Sequence, residues 1–160
     1  MTQYHNPVLL EASIEGLNII PNGTYVDVTF GGGGHSKAIL DCLDVGGRLL
    51  GFDQDTDAFK NVMVDSRFDF IHSNFSNLSQ YLKYHKAVPV EGILADFGVS
   101  SYQFNTRERG FSTRLDARLD MRMNQSQPLD AFEIINNYSE EDLKTLFYAV
   151  SYTHLRAHET

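Results

Sequence analysis

The chain has little of what marks secreted, membrane or metal-binding proteins. Its 160 residues contain a single cysteine, which excludes an internal disulfide and favours a reducing cytoplasm. This residue, Cys42, lies in an apolar helical stretch and is expected to be a small core residue. The longest apolar stretches, such as residues 92–95, are far too short to span a bilayer, and residues 1–7 show no signal-peptide pattern. No cysteine or histidine lies at ligand spacing from His35, so no metal site is expected.

Excess positive charge is also lacking. The formal net charge is −8 at pH 7, whereas a protein that coats nucleic acid needs a basic face. The positive charges are nevertheless clustered, because five of the 13 lysines and arginines fall within residues 107–122. They are Arg107, Arg109, Arg114, Arg118 and Arg122. This cluster allows two interpretations, a solvated arginine-rich loop or a surface that contacts RNA or an active site.

What is present from residue 24 onward is an alternation of short apolar runs and amphipathic stretches, which is typical of β-α units around a parallel sheet. Strands are predicted at residues 24–30, 48–53, 69–73 and 91–96, and helices at 7–17, 35–43, 57–64 and 78–86. Residues 99–127 predict an extended, partly irregular segment, and helical periodicity resumes over residues 128–150, with Ser139 as a helix cap. A sheet that ended at its fourth strand would leave an unpaired edge, so the sheet is expected to be truncated.

The strongest local motif is a glycine-rich loop between the first predicted strand and the helix that follows. Residues 27–36 read Asp-Val-Thr-Phe-Gly-Gly-Gly-Gly-His-Ser. Consecutive glycines let a ligand lie against bare main chain, and this strand–loop–helix context is typical of nucleotide-type cofactors. Asp53 ends the second strand, where an acid accepts hydrogen bonds from ribose hydroxyls. Asp96 ends the fourth strand, beside the point where doubly wound sheets bind ligands.

Two cofactor classes compete for such a loop. A dinucleotide fold requires Gly-x-Gly-x-x-Gly, but Ser36 or Lys37 occupies the third glycine position, depending on the register. A methyl-donor site carries an acid and then alternating glycines, which residues 27–33 match with Thr29 replacing one glycine. The carboxylate of Asp27 suits the cationic end of S-adenosylmethionine and would repel a pyrophosphate. The residues therefore favour the methyl donor, with a nicotinamide-dependent oxidoreductase as the alternative.

Five ordered motifs resemble those of one family. They occupy residues 6–11, 27–36, 92–101, 108–112 and 119–123. Together they resemble the bacterial 16S rRNA (cytosine-N4) methyltransferase H family, also called MraW, over about residues 4–150. The resemblance implies a Rossmann-like class I S-adenosylmethionine-dependent methyltransferase of the α/β class. Its substrate would be the N4 amine of a cytidine in 16S ribosomal RNA of the small ribosomal subunit, with no membrane partner.

The resemblance also implies which residues hold S-adenosylmethionine. The family's contacts correspond to Gly33, Gly34, His35, Asp53, Phe75, Asp96 and Gln103. Asp53 and Asp96 agree with the reading of the strand ends, and Phe75 could wall in the adenine. Gln103 comes from the resemblance alone. Many amino-methyltransferases carry Asn/Asp-Pro-Pro-aromatic after the fourth strand, but residues 96–99 read Asp-Phe-Gly-Val, so no catalytic residue is assigned.

Family members are longer and carry a mostly helical domain inserted after the fourth strand. Residues 1–104 are therefore predicted to be the N-terminal part of the methyltransferase domain, and residues 105–150 the start of the inserted substrate-binding domain. Residues 151–160 do not match the family's continuation and are expected to be a non-native tail. The fragment is expected to be inactive alone. A non-catalytic RNA-binding or interaction module is a further alternative, and the oligomeric state stays open.

Overall fold

The computed structural model describes residues 7–156, with side chains for residues 7–149. The strands in this part are β1 (Thr24–Asp27), β2 (Arg48–Asp53), β3 (Phe68–His72) and β4 (Gly92–Leu94). They form a four-stranded parallel sheet in the order β3-β2-β1-β4. The chain adds β2 and β3 on one side of β1 and then crosses over to add β4 on the other side. This order confirms the predicted Rossmann-like α/β fold class.

Three α-helices and two 3₁₀ segments accompany the sheet. The helices are α1 (Leu10–Leu17), α2 (Gly34–Cys42) and α3 (Leu78–Tyr84), and the 3₁₀ segments are Thr56–Asn61 and Phe75–Asn77. The predicted helix over residues 57–64 is therefore wrong. The sequence there includes Val62 and Val64, whose branched side chains lose rotamer freedom in a helix. Val64 is fully exposed, so no burial offsets that loss.

Alternation along the strands gives the sheet two buried faces. Tyr25 and Leu49 point to one face, where they pack with Ile39 of α2. Val26 and Leu50 point to the opposite face, where they pack with Leu82 of α3 and its neighbours. Because successive strand side chains alternate, each strand contributes to both layers. Burial of each such side chain stabilises the fold by about 1.5–3 kcal/mol.

Cys42 is exposed, so its expected place in the core is wrong. The buried residues of α2 are His35, Ser36, Ile39 and Leu40. This spacing of three and four residues turns one side of the helix toward the sheet. Cys42 falls outside that stripe, at the last position of the helix.

The chain divides between Ser101 and Tyr102 into two compact units. Helix α4 (Ser101–Asn105) spans this boundary. The second unit continues with a 3₁₀ turn at Arg107–Arg109, α5 (Ala131–Asn137) and α6 (Glu140–Arg156). The segment between Arg109 and α5 has no regular element, as its polar sequence predicts. Ser139 is confirmed as a cap of α6, because its Oγ accepts a hydrogen bond from the Asp142 backbone N–H at 3.1 Å.

The end of α6 falls in the predicted non-native tail. The helix continues through Arg156, and residues 157–160 lie outside the described residues. The non-native origin of this segment stays a prediction, as does the assignment of residues 105–150 to an inserted substrate-binding domain. In the part of the chain that the structure describes, no helix is both long and apolar enough to cross a membrane.

Candidate functional site

The candidate site lies at the carboxyl ends of β1 and β4. These strands are neighbours in the sheet, but the chain visits β2 and β3 between them. The chain order therefore reverses between β1 and β4, because β2 and β3 lie on one side of β1 and β4 on the other. Open α/β sheets bind ligands at such a switch point. All four strands are parallel, so their carboxyl ends lie at this same edge.

The glycine loop enters α2 through residues that need to be glycine. Gly33 caps the helix with φ +77°, a left-handed conformation that side chains disfavour. A Cβ on Gly33 would lie 3.1 Å from the ring of Phe30. A Cβ on Gly34 would overlap the ring of Pro7, so Pro7 packs directly on the loop. At Gly32 no atom of the described residues lies within 4 Å of the Cβ position, so these residues leave the loop open there.

Asp53 fastens the loop to the end of β2. Its Oδ2 accepts a hydrogen bond from the backbone N–H of Gly31 at 2.7 Å, and its Oδ1 accepts one from the N–H of Asp55 at 2.8 Å. The carbonyl of Gly31 is also held, because it accepts a hydrogen bond from Nδ2 of Asn61 at 2.9 Å. Burial raises the pKa of Asp53, although these N–H donors oppose the shift. A carboxylate offers about four acceptor positions, so Asp53 retains capacity for ligand hydroxyls.

Asp27 supports the glycine loop from the core of the first unit. Its side chain is fully buried, so the expectation that it meets a cationic ligand is wrong. One carboxylate oxygen accepts a hydrogen bond from Oγ of Ser36 at 2.7 Å. The other accepts from the backbone N–H and Oγ1 of Thr29, at 3.0 and 3.3 Å. Burial raises the pKa of Asp27 despite these hydrogen bonds.

Asp96 follows β4 and faces the loop across the switch point. Its backbone N–H donates to Oγ1 of Thr29 at 2.8 Å, and its side chain is 48% exposed. Its Oδ2 lies 4.0 Å from Nδ1 of the buried His35. The other ring nitrogen of His35, Nε2, lies 3.1 Å from the carbonyl oxygen of Val8. Because a carbonyl only accepts, Nε2 of His35 is the donor in this contact.

Two aromatic rings meet at this edge. Phe75 begins the 3₁₀ segment after β3, and Phe97 follows Asp96. Their ring centroids lie 5.6 Å apart, although β3 and β4 are at opposite edges of the sheet. The rings are 42% and 71% exposed, respectively. The loops after the two outer strands thus approach each other over the carboxyl ends of the inner strands.

Six of the seven residues predicted to bind the cofactor therefore lie at one edge of the first unit. They are Gly33, Gly34, His35, Asp53, Phe75 and Asp96. Gln103 belongs to α4 in the second unit, where it is buried and its Nε2 lies 3.5 Å from Sδ of Met123. The sequence analysis missed Asn61 and Phe97, and it treated Thr29 only as a replacement for one of the alternating glycines. Of these residues, only Phe97 could have been found from the sequence, because it directly follows Asp96.

The arginine cluster holds the second unit together. Arg109 is only 1% exposed, and its Nη2 donates to the carbonyl of Arg122 at 2.9 Å. Arg122 forms an ion pair with Asp120 at 2.5 Å, and Arg118 forms one with Asp130 at 2.9 Å. A simple solvated loop is therefore the wrong description for Arg109 and Arg122, whereas Arg107, Arg114 and Arg118 are exposed. Contact between the exposed arginines and RNA stays a prediction.

The carboxyl groups of the described residues have pKa shifts in both directions. In the second unit, the Arg122 guanidinium lowers the pKa of Asp120. The backbone N–H of Glu133, followed by Arg118, lowers the pKa of Asp130. In the first unit, burial raises the pKa of both Asp27 and Asp53, whereas hydrogen bonds from Arg67 lower the pKa of Asp65 to about 2.

We expect acid to destabilise the segment around Asp120 and Asp130 before the core around Asp27. A lowered pKa contributes stability above the unfolded value of 3.8, and this is lost as the pH falls through the folded-state pKa. The raised pKa of Asp27 has the opposite effect: the free energy of unfolding increases as the pH falls through the folded-state pKa toward 3.8. Amide hydrogen exchange between pH 7 and 3, corrected for intrinsic rates, would measure both. Earlier loss of protection around Asp27 than around Asp120 would contradict this expectation.

Comparison with known proteins agrees with these features. The MraW methylase family matches residues 2–157 of the chain. A protein of Christiangramia forsetii named ribosomal RNA small subunit methyltransferase H is 58% identical over 149 residues, which cover 93% of this chain and 49% of that protein. Proteins of the same name from Flavobacterium johnsoniae and Bacteroides fragilis are 55% and 56% identical, covering 91% and 92% of this chain and 48% of each relative.

The chain thus spans about half the length of the curated relatives it matches. The family match covers nearly all of its residues, including the glycine loop, Asp53 and Asp96. The five ordered motifs of the sequence point to the same family. The chain belongs to the MraW methylase family.

Proposed function

We propose that this chain is the cofactor-binding part of an enzyme that transfers a methyl group from S-adenosylmethionine to the N4 amine of a cytidine in 16S ribosomal RNA. The observation that carries the proposal is the glycine cradle at the start of α2, with Asp53 and Asp96 at the ends of the flanking strands. The relatives' names supply the substrate class, ribosomal RNA of the small subunit. Such a substrate and the single cysteine favour a cytoplasmic location.

The residues at this edge fit S-adenosylmethionine. Main-chain N–H groups at the start of α2 suit the carboxylate of its amino-acid end. Asp53 suits the ribose hydroxyls, and the exposed ring of Phe75 suits one face of the adenine. When bound, this cofactor supplies an electrophilic methyl group on a positively charged sulfur. The loop from Asp27 to Ser36 contains no lysine or arginine, which suits a cationic ligand better than a pyrophosphate.

The chemistry that the protein must assist is attack by a weak nucleophile. The lone pair of the cytosine amine is delocalised into the ring, so holding its nitrogen in place supplies much of the acceleration. The half-exposed carboxylate of Asp96 can accept a hydrogen bond from this amine and stabilise the positive charge that develops on it. The base must leave its stack to reach the edge of the sheet.

The first test is calorimetric titration of this chain with S-adenosylmethionine and, separately, with NAD. We expect binding of S-adenosylmethionine at one site and no binding of NAD. The variant Asp53→Asn is expected to weaken binding about tenfold or more, because a charged acceptor for ribose hydroxyls is lost. Asp41→Asn is the matched control, since Asp41 lies in an exposed pair with Lys37 on α2.

Preference for NAD would overturn the proposal in favour of a nicotinamide-dependent oxidoreductase. A folded sample that binds neither ligand would contradict the assignment of this edge as a cofactor site. Methyl transfer is tested with the chain extended by the C-terminal half of a curated relative. RNA binding by that protein with no methyl transfer would favour the alternative of a non-catalytic module.

A further inference from the structure

Thr29 occupies the junction between the glycine loop and the end of β4. Its Oγ1 accepts a hydrogen bond from the Asp96 backbone N–H at 2.8 Å and lies 3.3 Å from Oδ1 of Asp27. A hydroxyl has one proton and two lone pairs. Because the Asp96 N–H can only donate, a lone pair of Thr29 faces Asp96, and the hydroxyl proton points to Asp27. The hydroxyl therefore has a fixed direction.

This hydrogen bond takes the place of a sheet hydrogen bond. The paired residues of β1 and β4 end at Asp27 and Leu94, and the N–H of Val28 still donates to the Leu94 carbonyl at 2.9 Å. In a regular parallel ladder, the next bond would join the Asp96 N–H to the Val28 carbonyl. The Asp96 N–H instead donates to the Thr29 side chain. The end of β4 is thereby diverted from the sheet and fastened to the loop.

Asp27 connects Thr29 to α2 through hydrogen bonds of its carboxylate. Its Oδ1 accepts from Thr29 and its Oδ2 accepts from Oγ of Ser36, the third residue of α2. Asp27 and Ser36 are both fully buried, so the support beneath Thr29 is rigid. The carboxylate of Asp96, by contrast, is half exposed, and the nearest nitrogen of His35 is 4.0 Å away. The backbone of Asp96 is therefore held more firmly than its side chain.

We propose that Thr29 is a positioning residue that sets the distance between the Asp96 carboxylate and the glycine loop. The proposal rests on the proposed function, because it matters only if the methyl donor binds at the loop and the amine meets Asp96. It explains why a threonine stands where methyl-donor loops alternate glycines. A glycine at this position would leave the Asp96 N–H without this acceptor.

Three variants separate positioning from general loop support. Thr29→Val keeps the branched shape and removes the hydroxyl, whereas Thr29→Ser keeps the hydroxyl. Ser36→Ala is the matched control, because it removes a hydroxyl from Asp27 without touching Asp96. If valine prevents folding, Thr29→Ala provides the same comparison.

The first measurement is amide hydrogen exchange of Asp96 in the free chain. We expect Thr29→Val to speed this exchange about tenfold, which is the effect of losing one hydrogen bond. Thr29→Ser and Ser36→Ala are expected to keep the wild-type rate at Asp96. An unchanged rate in Thr29→Val, or equal acceleration in Ser36→Ala, would overturn the inference. No ligand is needed, so this result stands even if S-adenosylmethionine does not bind.

The second measurement is steady-state methyl transfer by the extended protein. Thr29→Val is expected to lower kcat by about 10- to 100-fold, with a much smaller change in KM for S-adenosylmethionine, because positioning errors act on the transition state. Thr29→Ser should recover most of kcat, and Ser36→Ala should change it less than Thr29→Val does. Failure of serine to rescue would overturn the inference. Absence of cofactor binding by the wild type would instead refute the proposed function.

Discussion

Replacing Asp96 with alanine is expected to lower methyl transfer at least about 100-fold in the extended protein, even at saturating S-adenosylmethionine. The substitution removes the carboxylate but keeps the backbone N–H that donates to Thr29, so the end of β4 stays in place. What is lost is the acceptor that would stabilise charge on the attacking amine. Single-turnover measurement with ribosomal RNA separates this step from product release.

Measuring the Asp96→Ala variant at saturating S-adenosylmethionine distinguishes two roles for the Asp96 carboxylate. If Asp96 only helps to hold the cofactor, excess S-adenosylmethionine restores the rate. If it accepts a hydrogen bond from the amine, saturation leaves the defect in kcat. Asp96→Asn keeps an acceptor oxygen without the charge and should fall between alanine and wild type. Near-normal turnover of the alanine variant at both low and saturating S-adenosylmethionine would refute both roles.

The fold was predictable because its signals are local. The ends of β2 at Arg48 and Asp53 agree with the predicted bounds, since a continuous apolar run with a charged residue at each end defines a buried parallel strand. The loop that follows β1 was found for the same reason, as four successive glycines permit few alternatives. The helix predicted over residues 57–64 failed because periodicity alone does not report whether a helix would gain burial.

The candidate site was less predictable because its contacts are distant in sequence. The sequence gives no reason to expect that Asp27 faces the core, since the buried Ser36 becomes its partner only once α2 packs on the sheet. The bond between Thr29 and Asp96 joins residues 67 positions apart. Phe75 and Phe97 follow strands at opposite edges and meet only through the paths of their loops.

Charge counting failed in a similar way for the arginine cluster. Glu108, Asp116 and Asp120 are the nearby acids that a sequence window shows. Arg118 instead pairs with Asp130, twelve residues away and beyond that window. A count of neighbouring charges therefore overstates how much of the cluster is available to an external partner.

Replacing Gly33 with alanine is expected to weaken S-adenosylmethionine binding by more than about tenfold and to lower the free energy of unfolding. A left-handed conformation costs an alanine about 1–2 kcal/mol. Its Cβ would also press on the ring of Phe30 at 3.1 Å. Phe30 cannot easily yield, because it is buried and stacks on Phe68 with ring centroids 5.4 Å apart. The main chain at the start of α2 must therefore shift, and its N–H groups move with it. Calorimetry and thermal unfolding measure the two effects.

Two alanine substitutions at other glycines isolate the cause. Within residues 7–156, a Cβ at Gly16 on α1 or at Gly32 in the loop would have no atom within 4 Å, and neither residue has a left-handed φ. Both variants should keep or raise stability, and Gly16→Ala should also keep the wild-type affinity. Gly32→Ala should lose affinity without losing stability, because its Cβ enters the open space over the loop where the cofactor would lie. If Gly33→Ala bound S-adenosylmethionine as tightly as Gly16→Ala, the loop's conformation would not be what holds the ligand, and the cradle at α2 would lose its assigned role.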